Sequence, residues 1–385
     1  VQHPVENCRC WAEIDLSAIR QNAALAAELA GPGAGIMAIV KANAYGHGLA
    51  EVVGALSDMV AMYGVANLHE AEAVSAALGG AGKRPSIFIL GPALAGERAG
   101  IVAGGFIPAV SAVEEAEAYS GLGDGGAVPI HLVIDTGMGR IGIAEEAVRG
   151  VAGEILRLSG VRIAGIATHL PVADEDEVYT REQLERFGAV IDALRGMGVD
   201  APVIHALNSA GLFRFPHHAG AIVRAGLMIY GNSPLAEYQA RLRPALTLKT
   251  RIILIRDLPA GHGVSYGRTF ITPGPMRVAT LAIGYADGYQ RHLSNRGAEV
   301  IIRGNRCPVL GRVTMDQIMV DVSDVHDAAM GDEAILIGGS GGESILASEL
   351  AAKSGTIAWE IFTSIGPRVE RRYGRINDCR FTIDD

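Results

Sequence analysis

Eight short apolar runs, at residues 36–40, 62–66, 86–90, 106–110, 130–134, 163–167, 202–206 and 222–230, punctuate the first part of the chain. Each has strand length and a near-continuous apolar make-up, the composition of a strand buried on both faces. Between them lie segments with apolar residues at helical spacing, clearest at 68–78, 111–119, 144–158 and 179–197, with a shorter one at 209–213. Such alternation predicts a parallel sheet. Eight strands is the number that closes a (β/α)8 TIM-type barrel, commonly of about 250 residues. The competing architecture, an open doubly wound sheet, usually carries a G-x-G-x-x-G turn after its first strand, and that turn is absent here. A short strand at 11–14 precedes the series. A helix begins after it, with Leu16, Ile19, Ala23, Ala26 and Ala27 in register and Asp15 or Ser17 as its cap.

After Pro244 the pattern changes. Strands are expected at 247–255, 277–283, 299–303, 307–309, 318–322 and 333–337, joined by short Gly-, Pro-, Asn- and Asp-rich turns, as in an antiparallel β domain. Two short helices, 345–354 and 357–365, and a closing strand at 379–383 complete the reading. The expected division is a barrel over 1–244 and a β domain over 245–385, with the boundary near 242–246. A chain of 385 residues calls for two domains. The net charge of −9 and the lack of a basic stripe argue against a nucleic-acid groove. Cys8, Cys10, Cys307 and Cys379 show no metal spacing beyond Cys8-x-Cys10 and read as reduced thiols of a cytosolic protein. No apolar run reaches membrane length and no signal segment is visible, so a cytoplasmic location is expected, with a periplasmic one following only if a leader was removed before Val1.

In a barrel, chemistry sits at the C-terminal ends of the strands, and the polar residues gather there. Lys41 ends the first run, in IMAIVKANAYGHG, where Gly46 and Gly48 let backbone approach a ligand. Arg140 follows the fifth run, in IDTGMGR. His169 ends the sixth, in IATHL. His205, Asn208 and Ser209 end the seventh, in VIHALNS, and Arg224 lies inside the eighth. Taken singly, each has a bland explanation: a solvated lysine, a satisfied histidine, an arginine in an ion pair. Together they describe a pocket with a nucleophilic lysine, two guanidiniums and a helix start at Ser209 suited to phosphate. No metal-ligand spacing and no GxSxG elbow is present. A lysine, a phosphate cradle and no metal suit pyridoxal 5'-phosphate.

These stretches resemble the alanine racemase family. AIVKANAYGHG is similar to its cofactor-attachment motif, and the likeness continues through IDTGMGRIG, THLPVADE, HALNSAGLFRFP, VRAGLMIYG, GVSYGRTF, AIGYADGYQR and GRVTMDQIMVD. The resemblance implies a barrel followed by a β domain, pyridoxal 5'-phosphate as cofactor, and a head-to-tail homodimer acting on a small amino acid. It implies that Lys41 carries the cofactor and serves as the base on one substrate face, with Tyr266 of the second subunit serving the other. Arg224 would face the pyridine nitrogen. Tyr45, Ser209 and the backbone of Gly226 and Leu227 would hold the phosphate, with Asn208 and His169 also at the cofactor. Arg140 and Met315 would hold the substrate carboxylate. His169 and His205 would form a chain Tyr266–His169–Arg224–His205, and Asp174, Tyr285, Arg291, Arg312 and Asp316 would line the entry.

Racemisation needs a proton donor on each face of Cα, hence two bases. Lysine and tyrosine both have ordinary pKa values near 10, so neighbours must tune them. Two departures from the family pattern stand out. Val133 occupies the position where many members have a lysine that becomes carbamylated and orients the arginine. Pro367, in SIGPRV, stands where some members place a phosphate-binding tyrosine. Three other readings compete: a racemase of broader or shifted choice, such as serine or lysine; a non-catalytic cofactor-binding protein; and a related decarboxylase. The second domain with GVSYGR argues against the non-catalytic protein. The lack of a cysteine–aspartate site, Cys307 being followed by Pro308, argues against the decarboxylase.

Overall fold

A computed structural model describes residues 8–79, 85–123 and 126–374. The chain divides into two compact units. One comprises residues 19–44 and 49–242; the other gathers 1–18, 45–48 and 243–385.

In the first unit, all eight expected strands form one parallel sheet. Its order is Ile222–Ala225, Gly35–Ile39, Met62–Val65, Ser86–Ile89, Ile107–Val110, Val128–Asp135, Val161–Ala167 and Val203–His205. The ends of this path meet through backbone bonds from Ala221 N to Ile204 O (3.0 Å) and from Arg224 N to Leu207 O (2.9 Å). The sheet is thus a nearly closed barrel. Its strands are buried on both faces, Met62–Val65 entirely so, which is why they read as unbroken apolar runs. The helices Leu68–Leu78, Val113–Ser120, Val148–Ile155, Glu177–Gly196 and Ser209–Arg214 fall where their periodicity put them. The first helix, Leu16–Ala30, is capped by Asp15, whose Oδ1 accepts from Ser17 N (2.8 Å) and Ala18 N (3.0 Å). The eighth apolar run is shorter as a strand than as a pattern. Gly226, at φ −113° and ψ −103°, breaks it, and Leu227–Tyr230 turns into a 3-10 helix.

The second unit is built on a mainly antiparallel sheet. Six of the described strands, Leu246–Leu258, Met276–Leu281, Ile318–Asp321, Asn305–Leu310, Glu299–Ile302 and Glu333–Ser340, pair in a ring that closes on Leu246–Leu258. The strand Cys10–Asp15 belongs to this sheet, not to the barrel. It pairs antiparallel with Leu246–Leu258 and parallel with Glu370–Gly374. The division expected at residue 244 therefore misplaces the N-terminal strand. Its near-continuous burial, with Cys10, Trp11, Ala12 and Ile14 inside, suits a β sheet covered on both faces as well as a barrel, so local pattern alone could not assign it. The strand Glu370–Gly374 was not expected; the closing strand expected at 379–383 lies outside the described residues. The helices Ala347–Ser354 and Ala358–Thr363 are close to their expected positions. Cys8, Cys10 and Cys307 are free and buried; Cys379 also lies outside the described residues.

Candidate active site

Lys41 follows the strand Gly35–Ile39 and opens an unusual turn. Ala42, Asn43, Ala44 and Tyr45 all have φ between 50° and 55°, a left-handed stretch built without glycine. Such a conformation costs roughly 1–2 kcal/mol per L-residue, so side chains must hold it. Glu70 does part of this: Oε1 accepts from Ala42 N (2.7 Å) and Oε2 from Ala66 N (2.8 Å). Asn43 Oδ1 accepts from Leu49 N at 2.8 Å. Lys41 itself is half-buried, and Nζ makes no hydrogen bond or ion pair among the described residues. Burial, then the charge of Arg140, lowers its pKa against the opposing pull of Glu70. The two glycines of the motif also meet a packing need. A Cβ at Gly46 would strike the carbonyl of Phe362, and one at Gly48 the hydroxyl of Tyr373. Both glycines, with the buried Tyr45, belong to the second unit, where the Tyr45 hydroxyl is bonded to the side chain of Trp359.

Arg224 is held at both terminal nitrogens. It is 5% exposed. Nη1 donates to His205 Nδ1 and to His205 O, each at 2.8 Å. Nη2 donates to Thr168 O and Ala206 O, each at 2.7 Å, and to His169 Nδ1 at 3.1 Å. These contacts occupy both terminal nitrogens. Nε–H makes no hydrogen bond among the described residues and is the one donor left to a further acceptor. Burial, with Arg140 adding, lowers the Arg224 pKa to about 10, so it stays a cation at neutral pH. His169 is pushed down to about 3 by burial and by Arg224, Arg140 and Lys41. His205 is driven well below its ordinary value by burial, then by Arg224 and His131. Both are neutral, as acceptors for a guanidinium must be. Since Arg224 donates to His169 Nδ1, the proton of His169 sits on Nε2.

This predicts a pH signature. The folded pKa values of these imidazoles lie below the unfolded value of about 6.5, so the unfolded chain binds more protons in that range. Their contribution to stability is complete above about pH 6.5 and is lost as pH falls toward about 3. The urea midpoint should drop between about pH 7 and 5, before most carboxylates titrate; a midpoint that holds or rises over that interval contradicts neutral, buried histidines.

The Arg140 loop is wound around a carboxylate that the sequence did not single out. Asp135 Oδ1 accepts from Gly137 N (2.9 Å), Met138 N (2.8 Å) and Gly139 N (3.1 Å). Burial opposes its ionisation, but these amides outweigh it and hold the carboxyl below the usual range. Gly142 is required because a Cβ there would meet Asp135 N at 2.5 Å. Tyr179 Oη donates to Gly137 O (3.0 Å) and Arg186 Nη2 to Thr136 O (2.7 Å), pinning the loop from the helix Glu177–Gly196. Arg140 is exposed, and its guanidinium makes no hydrogen bond or ion pair among the described residues. Val133 is buried in the strand behind it. Arg140 is carried by a loop that the side chains of Asp135, Tyr179 and Arg186 hold through its backbone.

At the seventh and eighth strand ends, Ser209 Oγ accepts from Gly226 N (3.1 Å) and Met228 N (3.3 Å). Leu227 opens the adjoining 3-10 turn, whose first amides lack intrahelical acceptors. Asn208 is spent on the scaffold: Oδ1 caps Gly211 N (2.9 Å) and Nδ2 donates to Leu170 O (3.0 Å). Asp174 is half-buried in the turn after His169.

In the second unit the expected residues lie on neighbouring loops. Tyr266 is 71% exposed, after Ser265, whose Oγ donates to Arg312 O (2.6 Å). A Cβ at Gly267 would sit 3.2 Å from the Arg312 guanidinium. Tyr285 N and Ala286 N donate to the carbonyls of Thr314 and Met315, each at 3.0 Å, and Tyr285 and Met315 are exposed. Asp316 is ion-paired with Arg368 at 2.8 Å, and Arg368 also reaches Asp287 at 3.2 Å. Arg291 starts the 3-10 turn Arg291–Leu293. Within this unit the Tyr266 segment thus lies beside Arg312, and the Tyr285 segment beside Met315.

Comparison with known proteins places this arrangement. Residues 14–234 match the family model described as alanine racemase, N-terminal domain, and residues 245–373 match alanine racemase, C-terminal domain. The chain belongs to the alanine racemase family. It is 43% identical over 370 residues to the alanine racemase of Symbiobacterium thermophilum, covering 94% of this chain and 97% of that one. It is 40% identical over 368 residues to that of Halothermothrix orenii, covering 94% and 96%. The crystal structure of alanine racemase from Bacillus anthracis with bound L-Ala-P superposes with a TM-score of 0.87 at 35% identity, covering 97% and 96%. Alanine racemase from Streptomyces coelicolor A3(2) gives 0.88 at 35%, covering 96% and 98%. Within this alanine racemase family chain, sequence reasoning missed His131, Asp135 and Glu70. His131 sits in the run IHLVI, where a single polar residue among apolar ones was the available signal.

Proposed function

We propose that the protein is a pyridoxal 5'-phosphate-dependent racemase interconverting L- and D-alanine, working as a homodimer with Lys41 of one protomer and Tyr266 of its partner as the two bases. The observation that carries the proposal is the convergence of Arg224, Arg140 and Lys41 on His169, whose pKa burial and all three cations lower, with Arg224 bonded to His169 directly and Arg140 also lowering the pKa of Lys41 and of Arg224. The residues suit the cofactor. Lys41 offers an amine with depressed pKa and no competing partner. Arg224 offers one uncommitted Nε–H to a ring nitrogen that stays unprotonated beside a permanent cation. Ser209 and the Leu227 turn offer donors to a phosphate.

The bound cofactor supplies the electron withdrawal that makes the substrate Cα–H acidic. Lys41 takes or returns the proton on one face, its lowered pKa leaving more of the free amine near neutrality. Tyr266 of the partner does so on the other. His169, with its proton on Nε2, would donate toward the tyrosine oxygen and orient it. Arg140 binds the substrate carboxylate as a guanidinium held by its loop. Arg224, a cation at neutral pH, would disfavour protonation of the ring nitrogen it faces, leaving the ring a weaker electron sink and disfavouring transamination.

Because the Asp135 loop positions Arg140 and Val133 has no amine, activity should be the same in bicarbonate-depleted and bicarbonate-supplemented buffer. Mass spectrometry should find no carbamylated lysine near Arg140; bicarbonate-dependent activity would contradict this. The function itself is tested by incubating the protein, loaded with the cofactor, with L-alanine, L-serine and L-lysine and reading the products by chiral chromatography. D-Alanine should dominate. No D-enantiomer from any substrate would defeat the proposal, and D-serine or D-lysine in excess would redirect it. Among the described residues no helix is long and apolar enough to cross a membrane.

A further inference from the structure

The buried polar chain does not end at His205. His205 Nε2 lies 3.0 Å from Nδ1 of His131, a fully buried residue of the strand Val128–Asp135. The His131 ring packs on Phe88 with centroids 4.8 Å apart. The fold makes room for it: a Cβ on Gly165, in the neighbouring strand, would meet His131 ring atoms at 2.5–2.7 Å. The pairing of those two strands shifts register between Ile130 and His131.

The bonds have one direction. A guanidinium only donates, so Arg224 Nη1 fixes His205 Nδ1 as an acceptor. Neutral His205 then carries its proton on Nε2 and donates it to His131 Nδ1. Neutral His131 must carry its own proton on Nε2, which has no hydrogen-bond partner among the described residues. A buried donor left without an acceptor is costly, so another function has to offset it. We propose that His131 is a positioning residue for Arg224: it accepts from His205, locks the His205 tautomer, and so keeps the Arg224 guanidinium turned with Nε–H free. The low pKa of His131, brought to about 3 by burial and Arg162, agrees with its neutral state. The proposal rests on the reading of Arg224 as the residue that faces the cofactor.

The test uses cofactor-loaded enzyme with 15N-labelled histidines, assigned with His131→Leu and His131→Asn. In the wild type, Nδ1 of both His131 and His205 should give pyridine-type signals and Nε2 of both pyrrole-type signals. Leucine removes the acceptor, whereas asparagine keeps an oxygen near the place of Nδ1. We expect His131→Leu to shift the His205 signals and lower kcat about 10-fold with KM little changed, and His131→Asn to recover kcat to within about 3-fold. A pyrrole-type Nδ1 on either wild-type residue overturns the proposal, and this holds even if the leucine variant fails to fold. A folded His131→Leu enzyme with wild-type kcat, or an asparagine variant no better than leucine, also overturns it. Failure of the functional reading would look different: a wild-type protein with these tautomers but without racemase activity.

Discussion

Lys41→Ala and Tyr266→Ala enzymes should each be at least about 10³-fold less active than wild type, yet should recover activity when unfolded and refolded together in equal amounts. Lys41 ends a barrel strand, whereas Tyr266 stands 71% exposed on a loop of the second unit. A base needs enclosure to act on a carbon acid, and an exposed phenol in one copy gains it from another. In a two-fold dimer each contact is made twice, so both sites form at once. Random pairing makes half the dimers mixed. Each mixed dimer has one site with both bases intact, and roughly a quarter of wild-type sites should return. Activity assays with tagged subunits measure this. Mixed dimers that form but stay inactive would place Lys41 and Tyr266 in one chain.

Arg224→Glu should injure both fold and turnover. The guanidinium satisfies the carbonyls of Thr168, His205 and Ala206 and the Nδ1 atoms of His169 and His205. A carboxylate can donate to none of them, and an unsatisfied buried acceptor costs about 1–3 kcal/mol. We expect at least about 3 kcal/mol of lost stability by urea unfolding and a fall in kcat on the order of 10²–10³, with relatively more transamination product. Arg224→Lys, which keeps the charge but only one donor group, should recover stability in part and the reaction preference less. A glutamate variant with wild-type midpoint and kcat would show that Arg224 neither braces the barrel nor faces the cofactor.

The barrel was legible because its strands are apolar on both faces and its helices periodic; each signal is local. The N-terminal strand was not, since its partners, Leu246–Leu258 and Glu370–Gly374, lie more than two hundred residues away. The polar residues at the strand ends could be read because lysine, arginine and histidine are conspicuous there. What holds them in place could not. The left-handed turn after Lys41 runs through two alanines, an asparagine and a tyrosine, of which only asparagine favours positive φ. Asp135 looks like an ordinary loop aspartate until its amide contacts are seen. Asn208, expected at the cofactor, also caps the helix Ser209–Arg214, a role that suits its position before Ser209. Gly46 and Gly48 suggested ligand access, whereas the side chains and carbonyls that exclude a Cβ there come from far along the chain.

Borohydride reduction of the cofactor-loaded enzyme, followed by peptide mass mapping, shows which residue is joined to the cofactor. A pyridoxyl adduct is expected on Lys41 alone; an adduct on Lys249 or another lysine, with Lys41 unmodified, would overturn its assignment as the cofactor lysine.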